Sequence, residues 1–207
     1  MIYLASSRIA AAVPLLDEGV IGIVNTPNTR YQLDPRWTWL ADNGAFAASR
    51  YVGDEKWLRW LGKWGEELRA SCIMATLPDV VGDHRATLAR SWPHISAVRD
   101  LGYPVGYVAQ DGMTVPDLEQ LAGHIDGLFI GGTTEFKLGV QARDLIAHAH
   151  THGLHVHAGR VNSYKRLQYF HDLGAHSADG TFLSIAPAVN IPRMLRWFDK
   201  LGEPRLF

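Results

Sequence analysis

The chain has 207 residues, 47% of them hydrophobic and 20% charged, with a formal net charge of −1. That predicts a single domain over residues 1–207, excludes disordered and fibrous classes, and leaves local basic surface as the only means of meeting a nucleic acid. No stretch approaches the ~18 apolar residues of a membrane helix, the start MIYLASSRIAAAVPLLDEG has no basic signal-peptide region, and the lone cysteine, Cys72, excludes an internal disulfide and a multi-cysteine zinc site, so a cytoplasmic protein away from membranes is expected.

Short β-branched or apolar runs recur and alternate with helix-period segments. Strands are predicted at Ile2–Ala5, Val20–Val24, Trp37–Ala41, Cys72–Thr76, Val105–Ala109, Leu128–Ile130, His155–Ala158 and His176–Ala178. Helices are predicted over Ile9–Leu16, over Glu55–Arg69 with Asp54 as N-cap, over His84–Leu101, to Gly123 with Thr114 as cap, over Val140–Thr151, to Leu173 with Ser163 as cap, and over Pro192–Leu201. Trp57, Trp60, Leu61, Trp64 and Leu68 make one apolar stripe, read as core with a homodimer face as the alternative. Between the second and third strands NTPNTRYQLDPR is turn-rich and has no helical period. Regular βα alternation predicts an α/β fold with a parallel sheet, a compact (β/α)₈ TIM barrel, with an open doubly wound sheet as runner-up.

Barrel enzymes carry their chemistry at the C-terminal ends of strands. There the sequence puts Asn25, Asp42, Asp79, Gln110, Gly131–Gly132, Gly159–Arg160 and Asp179. Asp, Asn and Gly are also ordinary turn residues, but Gln110 is a poor turn former. Asp42 and Asp179 facing one another across the mouth would suit glycosyl chemistry, one carboxylate attacking an anomeric carbon and the other handling a proton. Asp79 could accept hydrogen bonds from the N–H groups of a flat heterocycle, Gln110 and the backbone near Gly132 could answer carbonyl oxygens, and Phe46 could stack or fill core.

ADNGAF (41–46), LPDVVGD (77–83), VAQDG (108–112), FIGGTTEFKLG (129–139) and GAHSADGTF (174–182), in that order, resemble the guanine transglycosylase superfamily. The resemblance implies a barrel glycosyltransferase that exchanges guanine in a nucleic acid for a free 7-deazaguanine such as preQ0, with no redox or metal cofactor. It implies Asp179 as nucleophile, Asp42 as general acid/base, and Asp79, Gln110, Gly131, Gly132 and Phe46 as base-binding residues. Asn43 and Ala45 depart from the family's serine and second glycine, and Cys72 alone cannot build the zinc subdomain of the tRNA enzymes. The resemblance therefore favours the short DNA-modifying branch: DNA before tRNA, a flipped or single-stranded target, and partner proteins or a homodimer as further possibilities.

Arg30 and Arg36, interleaved with Tyr31, Trp37 and Trp39, have a composition suited to phosphate contact and base stacking, and Arg160, Lys165 and Arg166 fall on the same predicted rim. His148, His150 and His152 read as cations near a helix C-terminus, and His157 as a pocket residue. Rival readings are a metal-dependent hydrolase built on His155 and His157, a phosphate-binding aldolase or isomerase barrel, and a non-catalytic binder of a deazaguanine or nucleic acid.

Overall fold

The computed structural model describes residues 1–202. Its strands are β1 (Ile2–Ala5), β2 (Ile21–Asn25), β3 (Trp39–Ala41), β4 (Cys72–Thr76), β5 (Val105–Ala109), β6 (Gly127–Ile130), β7 (His155–Ala158) and β8 (Ser177–Gly180). All pair in parallel, and β8 returns to β1 to close the barrel in sequence order. A parallel barrel buries both faces of each strand, which is why the strand bodies are near-continuous apolar runs. One core lies between strands and helices, around Trp39, Trp57, Leu61, Leu128 and Phe170. A smaller one fills the barrel interior with Leu4, Val24, Leu40 and Met74, and Phe129 packs on it. Gly106 and Gly127 leave room for Met74: a Cβ on either would come within 2.6 Å of the Met74 thioether.

Helices differ from expectation where the backbone cannot sustain them. The segment predicted over Glu55–Arg69 is two helices, Asp54–Gly62 and Glu66–Ala70, parted just before Gly65, a residue that weakens helix interiors. Gly53, at φ 93°, is the N-cap instead of Asp54, whose carboxylate takes Arg90 Nη2 at 2.5 Å and the Tyr51 hydroxyl at 2.5 Å. Trp57, Trp60 and Leu61 are buried, and Trp60 and Trp64 meet Trp39 edge-on. The segment predicted over His84–Leu101 breaks at Trp92–His94, where Pro93 has no N–H to donate and its ring crowds the preceding turn. Residues 26–38 contain no helix, and Thr134–Leu138 forms a short additional one after β6. β8 reaches Gly180, so Asp179 belongs to the strand, and the last helix is Pro187–Gly202, with Pro192 inside it. No helix of the described residues is long and apolar enough to cross a membrane.

Gly106→Ala is expected to lower unfolding stability by about 1–3 kcal/mol, because Met74 is held by the opposite strands and cannot withdraw fully. Urea titration monitored by tryptophan fluorescence measures it.

Candidate active site

A cavity of about 410 Å³ opens at the C-terminal ends of the strands, within the range of small-molecule sites. Asp42, Asp79, Gln110 and Asp179 line it together, joined by Phe46, Gly131, Gly132 and Arg160. His157 lies buried beneath them against Asp179.

Asp42 directly follows β3, and its Oδ1 accepts the Gly44 N–H at 2.7 Å. Burial pushes its carboxyl up to about 7, helped by the negative charges of Asp179 and Asp79 and opposed by the Gly44 N–H. Asp79 follows β4 and is buried; Asn43 Nδ2 donates to its Oδ1 at 2.8 Å and Gln110 Nε2 to its Oδ2 at 2.5 Å. Burial raises its pKa too, against these donors and the nearby Arg90. Gln110 Oε1 accepts the Gly82 N–H at 2.9 Å, so its amide is held at both ends.

Asp179 points inward from β8. Its Oδ1 accepts the Arg160 N–H at 3.1 Å and its Oδ2 lies 2.9 Å from His157 Nε2. Arg160 sits in the left-handed region at φ 60°, a conformation that strains a non-glycine residue and is kept only where the surroundings demand it. Here it aims the N–H at Asp179. The Arg160 guanidinium donates to the Gly132 carbonyl and lies 4.4 Å over the Phe46 ring. Phe46 is 63% exposed and is therefore not core filling.

Other expected contacts are arranged differently. The Gly131 N–H is taken by the Ala109 carbonyl, and a Cβ there would lie 2.8 Å from Val108 Cγ1, so Gly131 makes space without offering a donor. Arg30 and Lys165 are exposed and Arg166 half-buried, on the loop after β2 and the first turn of the helix Tyr164–Asp172. Arg36 is not on this rim. It precedes β3 at the opposite end of the barrel and is paired with Asp34 at 2.7 Å and Asp17 at 3.2 Å, because the turn into β3 returns the chain to the strand-start face. Lys137, absent from the sequence reading, is buried with Nζ 2.7 Å from the Gly159 carbonyl; burial and Arg160 bring its pKa down to about 8.

Sequence reasoning also missed Asn43, which donates to Leu77 O and Asp79 and accepts from Ala45 N–H, and Phe129, which lines the cavity and packs 4.6 Å from the His157 ring. Strand alternation on β6 was the signal for Phe129, since it pairs with His157 in register. His148 meets Glu119 and His152, each at 3.3 Å, away from β7. Among the described residues no group of three or more His, Cys, Asp or Glu is arranged to hold a metal ion.

No protein-family profile matches the chain, and no curated protein matches it. Solved structures do. The chain is similar to 3-hexulose-6-phosphate synthase from Salmonella typhimurium at 15% identity and a TM-score of 0.59, over 97% of each chain. It is similar to a ligand-free tryptophan synthase from M. tuberculosis, a form with a substituted TrpA chain, at 12% identity and a TM-score of 0.56, over 96% of this chain and 89% of that one. It is similar to a mutant tryptophan synthase α-subunit from the hyperthermophile Pyrococcus furiosus at 16% identity and a TM-score of 0.54, over 97% and 95%. The fold is a TIM barrel, the architecture of these enzymes. The resemblance to guanine transglycosylases is overturned: neither comparison of sequences finds that superfamily, and the neighbouring structures are other barrels. The motifs that suggested it are short strand-end words rich in Asp, Asn and Gly, which barrel loops use for turns whatever their chemistry.

Asp42 gives the site a pH-dependent stability. Unfolded, its carboxyl ionises near 3.8; folded, near 7. Between those values the folded chain holds the extra proton, so this contribution is complete below about pH 4 and is lost as pH rises through 7. Asp42→Asn, which can still accept the Gly44 N–H, is expected to be about 2–4 kcal/mol more stable than the parent at pH 8 and nearly equal at pH 4. Urea unfolding at the two pH values is the measurement.

Proposed function

We propose that this barrel is a glycosyl-transferring enzyme that cleaves the bond between a sugar and a flat nitrogenous base and passes the glycosyl group to a second base. One observation carries the reading: a carboxyl that keeps its proton up to near neutrality, Asp42, shares a cavity with Asp179, one of whose oxygens takes the Arg160 N–H while the other lies against the His157 ring. Asp79 supplies the recognition edge. Each of its oxygens already takes one amide N–H and retains a lone-pair site, which suits a purine bearing a ring N–H beside an amino group.

In the first step an Asp179 oxygen attacks C1′ while the C1′–N bond breaks, and Asp42 gives its proton to the departing ring nitrogen. The product is a glycosyl–aspartate ester. In the second, the nitrogen of an incoming base attacks C1′, its proton passes to the Asp42 carboxylate, and the ester bond breaks. Two inversions give net retention.

A polynucleotide substrate is supported by the rim. Apart from Asp42 in the cavity, the segments 6–16, 26–33, 42–53, 159–171 and 181–198, which follow β1, β2, β3, β7 and β8, contain no Asp or Glu. They carry Arg8, Arg30, Arg50, Arg160, Lys165 and Arg166, with Phe46 and Ile185 exposed among them. Asp83, Asp111 and Glu135 lie on the other half of the rim. Phosphates would follow the cationic half, and the target base would be unstacked to reach Asp79.

The test supplies single-stranded DNA, duplex DNA, RNA and free nucleosides with a labelled purine, then follows base release and incorporation, with acid quenching and peptide mass spectrometry to trap the ester. Exchange into at least one substrate with the adduct on Asp179 is expected; no release from any of them overturns the reading. Asp179→Asn is expected to lower turnover about 10³-fold or more and abolish the adduct. Turnover should fall above pH ~7 as Asp42 loses the proton it donates, and Asp42→Asn should remove that limb at a cost of about 10²–10⁴-fold. Log affinity for a polynucleotide should fall linearly with log salt, with Arg8→Ala and Arg30→Ala together reducing the slope by about 2.

A further inference from the structure

Beneath Asp179 a polar column runs down the interior through side chains on β7 and β8. His157 Nε2 lies 2.9 Å from Asp179 Oδ2, His157 Nδ1 lies 2.8 Å from Ser177 Oγ, and His155 Nε2 lies 2.7 Å from the same hydroxyl. Alternation puts all four on one face: residues 155 and 157 of β7, residues 177 and 179 of β8. His157 and Ser177 are fully buried, and the inner core beside them is apolar, so these groups have each other in place of water and every bond must be matched in polarity.

Matching leaves two arrangements. Ser177 has one hydroxyl proton and two nitrogen neighbours, so it donates to one histidine and accepts from the other. A neutral imidazole likewise carries its proton on one nitrogen and accepts on the other. Asp179 as carboxylate accepts only, which requires the proton of His157 on Nε2. For a neutral His157, Nδ1 then accepts, Ser177 donates to it, and His155 donates from Nε2 to Ser177; a ring protonated on both nitrogens would reverse the two lower bonds. His155 fits: burial and the neighbouring histidines bring its pKa down to about 4, leaving it a single ring proton.

We propose that Ser177 and His155 are positioning residues for Asp179, their hydrogen-bonded chain fixing His157 as the Nε2–H tautomer so that the carboxylate is held as an acceptor facing the cavity. The role in turnover rests on Asp179 being the attacking group; the tautomer does not, and the two are read separately.

Nitrogen-15 NMR of histidine-labelled protein, with His157 assigned by the loss of its signals in His157→Gln, reads the tautomer without substrate. The expected parent spectrum shows a neutral His157 protonated on Nε2 with a hydrogen-bonded Nδ1. A ring protonated on Nδ1, or on both nitrogens, overturns the proposal. Ser177→Ala is expected to shift the His157 Nδ1 resonance toward that of a free acceptor, and Ser177→Thr, which keeps the hydroxyl, to restore it. An unchanged Nδ1 signal in Ser177→Ala also overturns the proposal. In the exchange assay Ser177→Ala should lower kcat about tenfold with KM for the base little changed, and Ser177→Thr should recover most of it. The expected spectra with no exchange in the parent would sink the glycosyl reading and leave the tautomer assignment standing. The expected spectra with kcat unchanged in Ser177→Ala would remove the positioning role.

Discussion

A carboxylate placed inside the mouth of a barrel loses much of its water, and fixed donors must replace it. Asp179 meets that demand with two: the Arg160 N–H on one oxygen and, in the proposed tautomer, the His157 Nε2–H on the other. Both donors belong to β7 or the turn after it, and Asp179 itself sits where β8 pairs with β1, opposite Leu4. Closing the barrel and orienting the carboxylate are thus one event. The left-handed backbone at Arg160 follows from it, since only a sharp reversal after Gly159 turns that N–H back toward the strand end. Lys137 braces the same turn from behind through the Gly159 carbonyl.

Three carboxyl groups in one cavity repel one another, and the protein gives each a different answer. Asp42 has one backbone donor and keeps its proton to about 7. Asp79 is buried between the amides of Asn43 and Gln110, each anchored in turn by a backbone group, so the acceptor edge it presents cannot rotate. Asp179 alone has a histidine behind it. Local donors, not residue type, set these three environments apart, and the proposed reaction draws on that difference for its proton, its nucleophile and its recognition edge.

The barrel was legible because its signals are local. Apolar runs punctuated by turn residues locate each strand to within a residue or two of its observed limits, and Thr114 and Ser163 mark helix starts that the structure shows capped. Errors arose where one residue overrode a longer pattern: Gly65 parted a helix whose apolar stripe ran on to Leu68, Pro93 broke the segment predicted over His84–Leu101, and Asp54, well suited to a cap, was drawn off by Arg90 from another helix. Carboxylates at strand ends were legible as a set because barrel geometry gathers strand ends. Ser177 was not, because a serine in a strand carries no signal of its own until the neighbouring strands are in register, and His155 and Phe129 take their place beside His157 only through that register. Arg36 looked like its neighbour Arg30, yet the chain crosses from one end of the barrel to the other between them.

The same geometry explains why short strand-end words were a poor guide to kinship. Any parallel barrel must end its strands in turns, and turns favour Asp, Asn and Gly, so ordered words of that composition arise in barrels of unrelated chemistry. What distinguishes this chain is what each oxygen and nitrogen touches. Turn-forming tendency does not call for a buried histidine below Asp179, for a strained arginine whose N–H meets the same carboxylate, or for an amide on each oxygen of Asp79. These arrangements desolvate polar groups and hold an unfavourable backbone angle, and stability alone would be better served by apolar side chains at the same positions. A chain that keeps them concentrates its costs at the mouth of the barrel, where a ligand can use them.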